Sequence, residues 1–327
     1  MSAVLRALDG GTVEVSDEEV AALRVQLRGA VLVPGDPGYA EMRPPFNSMH
    51  QASPGIVVSC SGTVDVADAV DFARRHGLAV AVRGGGHSIA GLSTIDGGLL
   101  IDLGPMRGVQ IDPERRLAYV QGGALWGDLD REAQRFGLAT PGGVISDTGV
   151  GGLTLGGGYG WVRRKFGLSC DNVVEAQVVC ADGEVRTASA DCNPDLYWAL
   201  RGGGGNFGVV TSFTFRLHAH GPIVAFAGVM YDAAELPSVV RGWRDYCLGA
   251  PREVTSATVS FTFPADPHMP PVIHDRALCI VGGMYVGDVG DGMAALQPLR
   301  ELGTPLLDIS QPMPYVAVQS AFDQLVT

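Results

Sequence analysis

Apolar positions between residues 56 and 217 fall into short runs whose spacing alternates between strand and helix periods. Residues 56–60 form a short apolar run of strand length. Thr63 then opens a segment in which Val66, Val70 and Ala73 recur at helical spacing, with Thr63 as its cap and Gly77 as its end. The next strand, 78–82, runs straight into Gly84-Gly85-Gly86, completing a βαβ-like unit. Further strands are predicted at 99–102, 109–111 and 118–121. Trp126, Leu129, Ala133 and Phe136 share one face of a helix that stops at Gly137. Strands 173–180 and 184–188 flank the turn Asp182-Gly183, and Asn193-Pro194 starts a short helix through Leu200. Residues 209–217 alternate like a strand. Past Gly221-Pro222 the pattern predicts strands at 223–231, 255–263 and 277–286 and helices at 236–246 and 292–302, an α+β arrangement on an antiparallel sheet. Residues 1–54 read as a polar lead-in, with an acidic helix start at Asp17, Glu18 and Glu19. Two domains are therefore expected, 1–220 and 221–327.

Composition adds one unusual quantity. Glycine contributes 46 of 327 residues, about twice ordinary usage, and it comes in clusters without a Gly-X-Y period. Clustered glycine marks backbone that must bend sharply or let something approach closely. The net charge of −12 and the lack of a basic stripe argue against a nucleic-acid partner. No apolar stretch reaches membrane-spanning length, and the acidic N-terminus is unlike a signal peptide. Six cysteines without a CxxC pair fit a reduced, cytoplasmic setting, most of them as small core residues. His218, His220, His268 and His274 lack acidic or cysteine partners at ligand spacing, so they read as solvated surface residues and no metal site is expected.

Three glycine-rich segments carry the chemistry. In Arg83-Gly84-Gly85-Gly86-His87-Ser88, consecutive backbone N–H groups after a strand can cradle a pyrophosphate, with Arg83 adding positive charge; a tight turn bearing a surface histidine accounts for the segment equally well. The span 140–160 holds nine glycines together with Val, Ile, Leu and Tyr. That mixture suggests buried backbone against a flat ligand, a packed turn system being the alternative. Nine glycines also disfavour a helix interior there. Residues 203–208 formally match G-x-G-x-x-G, but a helix precedes them and a strand follows, which reverses the dinucleotide fingerprint.

RGGGHS, GVGGLTLGGGYG and LRGGGGNFGVVTSFTF, in this order and at these distances, resemble the FAD-linked oxidases of the berberine bridge enzyme type. The resemblance runs from about residue 56 to 217. It implies a vanillyl-alcohol-oxidase (PCMH-type) FAD-binding domain of two α/β subdomains, followed by an α+β substrate domain with an antiparallel sheet. It implies FAD as cofactor, bonded through its 8α-methyl carbon to His87. The residues it carries over to the flavin are Arg83, Gly84, Gly85, Gly86, His87, Ser88 and Gly91 in the first segment. In the second they are Gly143, Val144, Thr148, Gly149, Gly152, Thr154, Leu155, Gly158 and Tyr159; in the third, Asn206, Val209 and Val210. Many relatives add a second bond through a cysteine; Ile145 stands at that position, so a single attachment is expected.

The implied activity is an oxidase: hydride passes from an alcohol or amine C–H of a small molecule to FAD, and O2 takes the electrons. A dehydrogenase on the same fold and a non-catalytic flavin-binding remnant are the rivals. Family members continue beyond residue 327, so the substrate domain is expected to be incomplete, with a second copy of the chain or a complementing C-terminal half as partner. Catalytic bases in relatives usually come from that later part, and none is assigned within residues 1–327.

Overall fold

The computed structural model describes residues 2–42, 44–265 and 270–323. The chain divides into two compact units, one of residues 1–133, 145–158 and 169–217, the other of residues 134–144, 159–168 and 218–327.

The first unit holds two main sheets. In the smaller, Ile56–Ser59 and Val80–Arg83 both run parallel to Leu99–Asp102 between them, and Ala30–Leu32 lies antiparallel at the edge. Ile56, Val57, Val58, Leu99, Leu100 and Ile101 are fully buried, as apolar runs are when both faces of a parallel sheet are covered. Helix Thr63–His76 turns Val66, Ala69, Phe72 and Ala73 into this core. Gly77 ends it in the left-handed conformation, its N–H on the Ala73 carbonyl.

The N-cap is Gly62 rather than Thr63, and it offers no side-chain bond. Buried Asp65 secures that corner instead. Its carboxylate accepts from the N–H groups of Arg28, Gly29 and Ser61 and from the Ser61 hydroxyl. Burial pushes the Asp65 carboxyl up, and these bonds more than reverse that, leaving it below its ordinary pKa.

The larger sheet is antiparallel, in the order Val185–Ser189, Val173–Val179, Val209–Arg216, Leu117–Gln121, Val109–Asp112. Together the two sheets give the expected pair of subdomains in a mixed α/β fold. Three local expectations fail. Residues expected as a lead-in form a hairpin, Ser2–Arg6 with Thr12–Ser16, and the helix after it carries a Ser16–Glu19 capping box. Helix Trp126–Gln134 stops before Phe136, which stays half exposed. The glycine-dense span contains a helix, Val150–Leu155. Each glycine there costs about 1 kcal/mol of helix propensity, and burial of Val150 and Leu155 offsets it.

The second unit is built on an antiparallel sheet, Val254–Phe263, Arg276–Tyr285, Ile223–Asp232, Pro305–Asp308, with Gln311–Pro314 also pairing along Ile223–Asp232. Helices Leu236–Gly249 and Val289–Leu296 supply Val239 and Leu296 to a core with Val229, Tyr231, Val254 and Val281. The chain's last crossing between units comes after residue 217. Residues 134–144 and 159–168 also belong to the second unit, where Leu138–Ala139 pairs with His218–Ala219. His220 corrects its expected surface placement: it is 6% exposed, with its ring edge-on to Tyr315. His268 lies outside the described residues.

Candidate cofactor site

Strand Val80–Arg83 delivers the Gly84–Gly86 turn to one end of the smaller sheet. Among the described residues, the N–H groups of Gly85, Gly86, His87 and Ser88 find no acceptor. Four consecutive unspent donors form a nest suited to an anion. The Arg83 guanidinium has a different use from the one expected of it. It is buried, donates to the carbonyls of Ser93 and Met42, and lies near Asp102, its register neighbour. Burial holds Arg83 below its ordinary pKa, with Asp102 opposing. Burial likewise raises the Asp102 carboxyl, against the Ser59 hydroxyl and Arg83. Arg83 thus fixes the loop's shape from beneath.

The second segment meets the first backbone to backbone. A Cβ on Gly85 would lie 2.6 Å from the Gly149 Cα, and one on Gly149 would lie 2.9 Å from the Gly85 Cα. No side chain fits at either position. Loop 145–149 is pinned by Thr148 N–H on the Ile145 carbonyl (3.2 Å), Trp126 N–H on Thr148 (3.0 Å) and Gly127 N–H on Ser146 (2.8 Å). Gly152 differs: it is exposed, and a Cβ there meets no atom within 4 Å. In the same helix Thr154 is fully buried, its hydroxyl unpartnered among the described residues. Open space at Gly152 is what a ligand-facing position presents, whereas Thr154, two residues on, lies on the other side of the helix in the core.

His87 is held from three sides. Its ring stacks on Phe46 at 4.4 Å between centroids, 15° from parallel. Nε2 lies 3.0 Å from an Asp147 carboxylate oxygen, and Nδ1 lies 3.5 Å from the Thr148 hydroxyl. The ring is largely covered, while the Asp147 side chain is half exposed. Phe46 and Asp147 are contributions that the sequence reading missed. They lie 41 and 60 residues from His87, and no local pattern links them.

Ser88 closes a turn, its carbonyl accepting from Gly91 N–H and its hydroxyl from Leu92 N–H. Gly91 leaves room for the His50 imidazole, which a Cβ would meet at 2.5 Å. Gly158 gives way in the same manner to Ser169. The third segment joins the second through Gly204 N–H on the Leu155 carbonyl (2.9 Å). A helix precedes it and a strand follows, as expected. Asn206 is exposed and donates to the Gly203 carbonyl; Val209 and Val210 are buried. Gly143, Val144 and Tyr159 fall in the second unit. There the Gly143 carbonyl accepts from Gln319 and exposed Tyr159 lies under the Arg163 guanidinium.

A nest of free N–H groups, two interlocked glycine loops and an open glycine helix define an FAD-binding unit. Residues 54–189 match the FAD binding domain family. The chain is 32% identical over 305 residues to the uncharacterized FAD-linked oxidoreductase YgaK of Bacillus subtilis, covering 92% of this chain and 65% of that one. Its structure is similar to 6-hydroxy-D-nicotine oxidase from Arthrobacter nicotinovorans, with a TM-score of 0.83, 30% identity and coverage of 92% and 65%. It is also similar to BBE-like 1 of Physcomitrella patens, with a TM-score of 0.80, 27% identity and coverage of 92% and 64%. Residues 54–189 thus carry an FAD binding domain, and the chain is similar in sequence and fold to FAD-linked oxidoreductases of the PCMH-type, berberine bridge enzyme-like kind. It spans less than two thirds of the length of each of these relatives.

Proposed function

We propose that this chain holds FAD covalently on His87, by a single bond, in an oxidase that takes hydride from an alcohol or amine C–H of a small molecule and returns the electrons to O2. The observation that carries this reading is the His87 imidazole, fixed by Phe46 and Asp147 at the mouth of a loop with four unspent N–H donors.

The residues fit the cofactor. The N–H groups of Gly85–Ser88 would hold an anionic diphosphate, and the space beside Gly152 would admit a flat ring system without a clash. When bound, FAD supplies the two-electron acceptor that no side chain provides. The chain's own task is to bind, to orient and to hold the imidazole as a nucleophile. Ile145 has an aliphatic side chain at the position of the second attachment in relatives, so one bond forms.

His87→Ala is expected to remove all flavin from the acid-denatured chain while leaving extractable FAD in the native protein. In-gel fluorescence and the mass of the denatured chain measure this. Turnover is tested on flavin-replete protein with a panel of small alcohols and amines, following flavin bleaching and peroxide release together. Bleaching with stoichiometric peroxide supports the oxidase. Bleached flavin that persists in air contradicts it in favour of a dehydrogenase.

A further inference from the structure

We infer that Arg163 and Tyr159 form a binding site in the second unit for a small, flat carboxylate. Its acid group sits on the guanidinium edge and its planar body on the phenol ring. The inference is independent of how the flavin is attached.

Burial and charge single out Arg163. Among the described residues, Arg83, Arg186, Arg201 and Arg300 are the other arginines drawn in from full exposure. Each of them faces a carboxylate, respectively Asp102, Asp182, Asp171 and Asp308. Arg163 is half-buried and meets none among the described residues. Its Nη1 donates to the Gly160 carbonyl at 3.0 Å, and its Cζ lies over the Tyr159 ring, 5.4 Å from the centroid. Nε and Nη2 donate to no described residue, so the two-donor edge that matches a carboxylate oxygen for oxygen is intact. Burial holds this guanidinium below its ordinary pKa, with Tyr159 and Cys247 opposing and Arg164 adding to the effect. A cation withdrawn from water without a counter-ion is unfavourable, and a bound anion supplies the missing charge.

The neighbouring cations have other uses. Arg164 donates to the carbonyls of Ala250, Pro251 and Val254, and Arg252 donates back to those of Arg164 and Lys165. Lys165 lies 3.5 Å from Glu253. These bonds fix the backbone that carries Arg163 and leave a positive corner in a chain of net charge −12, which draws anions toward it. The carbonyl that holds Nη1 is fixed as well. A Cβ on Gly160 would lie 1.7 Å from the Gly142 oxygen, so the two backbones are packed without slack. Tyr159 is 64% exposed and offers a flat apolar surface beside the free donors. A phosphate would use the guanidinium and leave the ring bare, whereas a flat organic acid uses both.

The test is calorimetric titration of the FAD-loaded full chain with benzoate, benzamide, acetate and inorganic phosphate. Benzoate is expected to bind about 10-fold tighter than benzamide, which has the ring without the charge. It is expected to bind about 5-fold tighter than acetate or phosphate, which have the charge without the ring. Arg163→Gln should lose about 10-fold or more in benzoate affinity while its melting temperature stays that of wild type. Arg163→Lys, which keeps the charge but not the paired donors, should fall between the two. Tyr159→Leu should lower benzoate affinity to that of acetate and leave acetate binding unchanged. No benzoate binding by wild type, or equal affinity in wild type and Arg163→Gln, overturns the site. Acetate or phosphate binding as tightly as benzoate, or unchanged benzoate binding in Tyr159→Leu, overturns the assignment to a flat carboxylate.

Discussion

Gly149→Ala is expected to unfasten the cofactor loops, lowering the stability of the first unit by about 3 kcal/mol, at the upper end of overpacking costs. Gly149 has φ −65° and ψ 134°, a conformation open to any residue, so the cost is purely steric. The added Cβ would meet the Gly85 Cα at 2.9 Å and crowd the Gly85 nitrogen still more closely. Both atoms are backbone of a loop anchored by buried Arg83, and neither can swing aside as a side-chain end would. The loops must part, and the nest loses its shape. In a thermal melt of the flavin-free chain the transition should fall by about 5–10 °C, and FAD occupancy after reconstitution should collapse. Gly152→Ala is the control. Its Cβ meets nothing in the chain and it sits inside a helix, so the flavin-free protein should gain up to about 1 kcal/mol. FAD binding should nevertheless weaken if the cofactor approaches at Gly152. Unchanged FAD binding in both variants would separate these glycines from the site.

Acidification from pH 7 to 4 is expected to cost the second unit about 3 kcal/mol through His220 alone. Burial, with a smaller push from the nearby Lys165 ammonium, lowers this imidazole to about 4. Its Nε2 has no partner among the described residues to stabilise a charge. In the unfolded chain the imidazole takes up a proton near pH 6.5. As pH falls below that value the unfolded state binds a proton that the folded state refuses, and stability drops. The loss is complete once pH has passed through about 4, where both states are charged. Denaturant unfolding followed by tryptophan fluorescence, Trp161 and Trp243 being the reporters of this unit, measures the slope against pH. His220→Phe keeps an aromatic ring against Tyr315 and should flatten that slope. Parallel curves for wild type and variant would show that other groups titrate there.

His220 also shows where sequence reading stops. The triplet His218-Ala219-His220 at a strand end resembles a solvated edge. Its burial depends on pairing with Leu138–Ala139, some 80 residues earlier. The apolar runs Ile56–Ser59 and Leu99–Asp102 were legible because they bury both faces, and Val173–Val179, buried in part, also forms a strand as expected. Helix Thr63–His76 was legible through Val66 and Ala73, and it ends at Gly77 as its sequence indicates. Helix Val150–Leu155 was hidden because glycine propensity argues against it and only packing rescues it. The N-terminal hairpin was missed although Ala3, Val4, Leu5, Val13 and Val15 are apolar, because strands of five residues carry too short a pattern to stand out.

At the site, the three glycine segments were visible as motifs and their mutual contacts were not. Gly85 against Gly149 and Gly204 against Leu155 are meetings of backbone, which leave no periodic trace in side chains. The partners of His87 follow from those meetings. Asp147 comes beside the imidazole where the two loops interlock, at Gly85, two residues before His87, and Gly149, two residues after Asp147.

The central claim is that this unit carries FAD bonded to His87. Its most direct test is a peptide map, with and without acid, of the protein purified from a flavin-replete host. The account predicts that the peptide containing His87 carries the mass of the flavin, survives denaturation yellow and fluorescent, and is the only modified peptide in the chain. An unmodified His87 peptide from protein that contains stoichiometric FAD would contradict it.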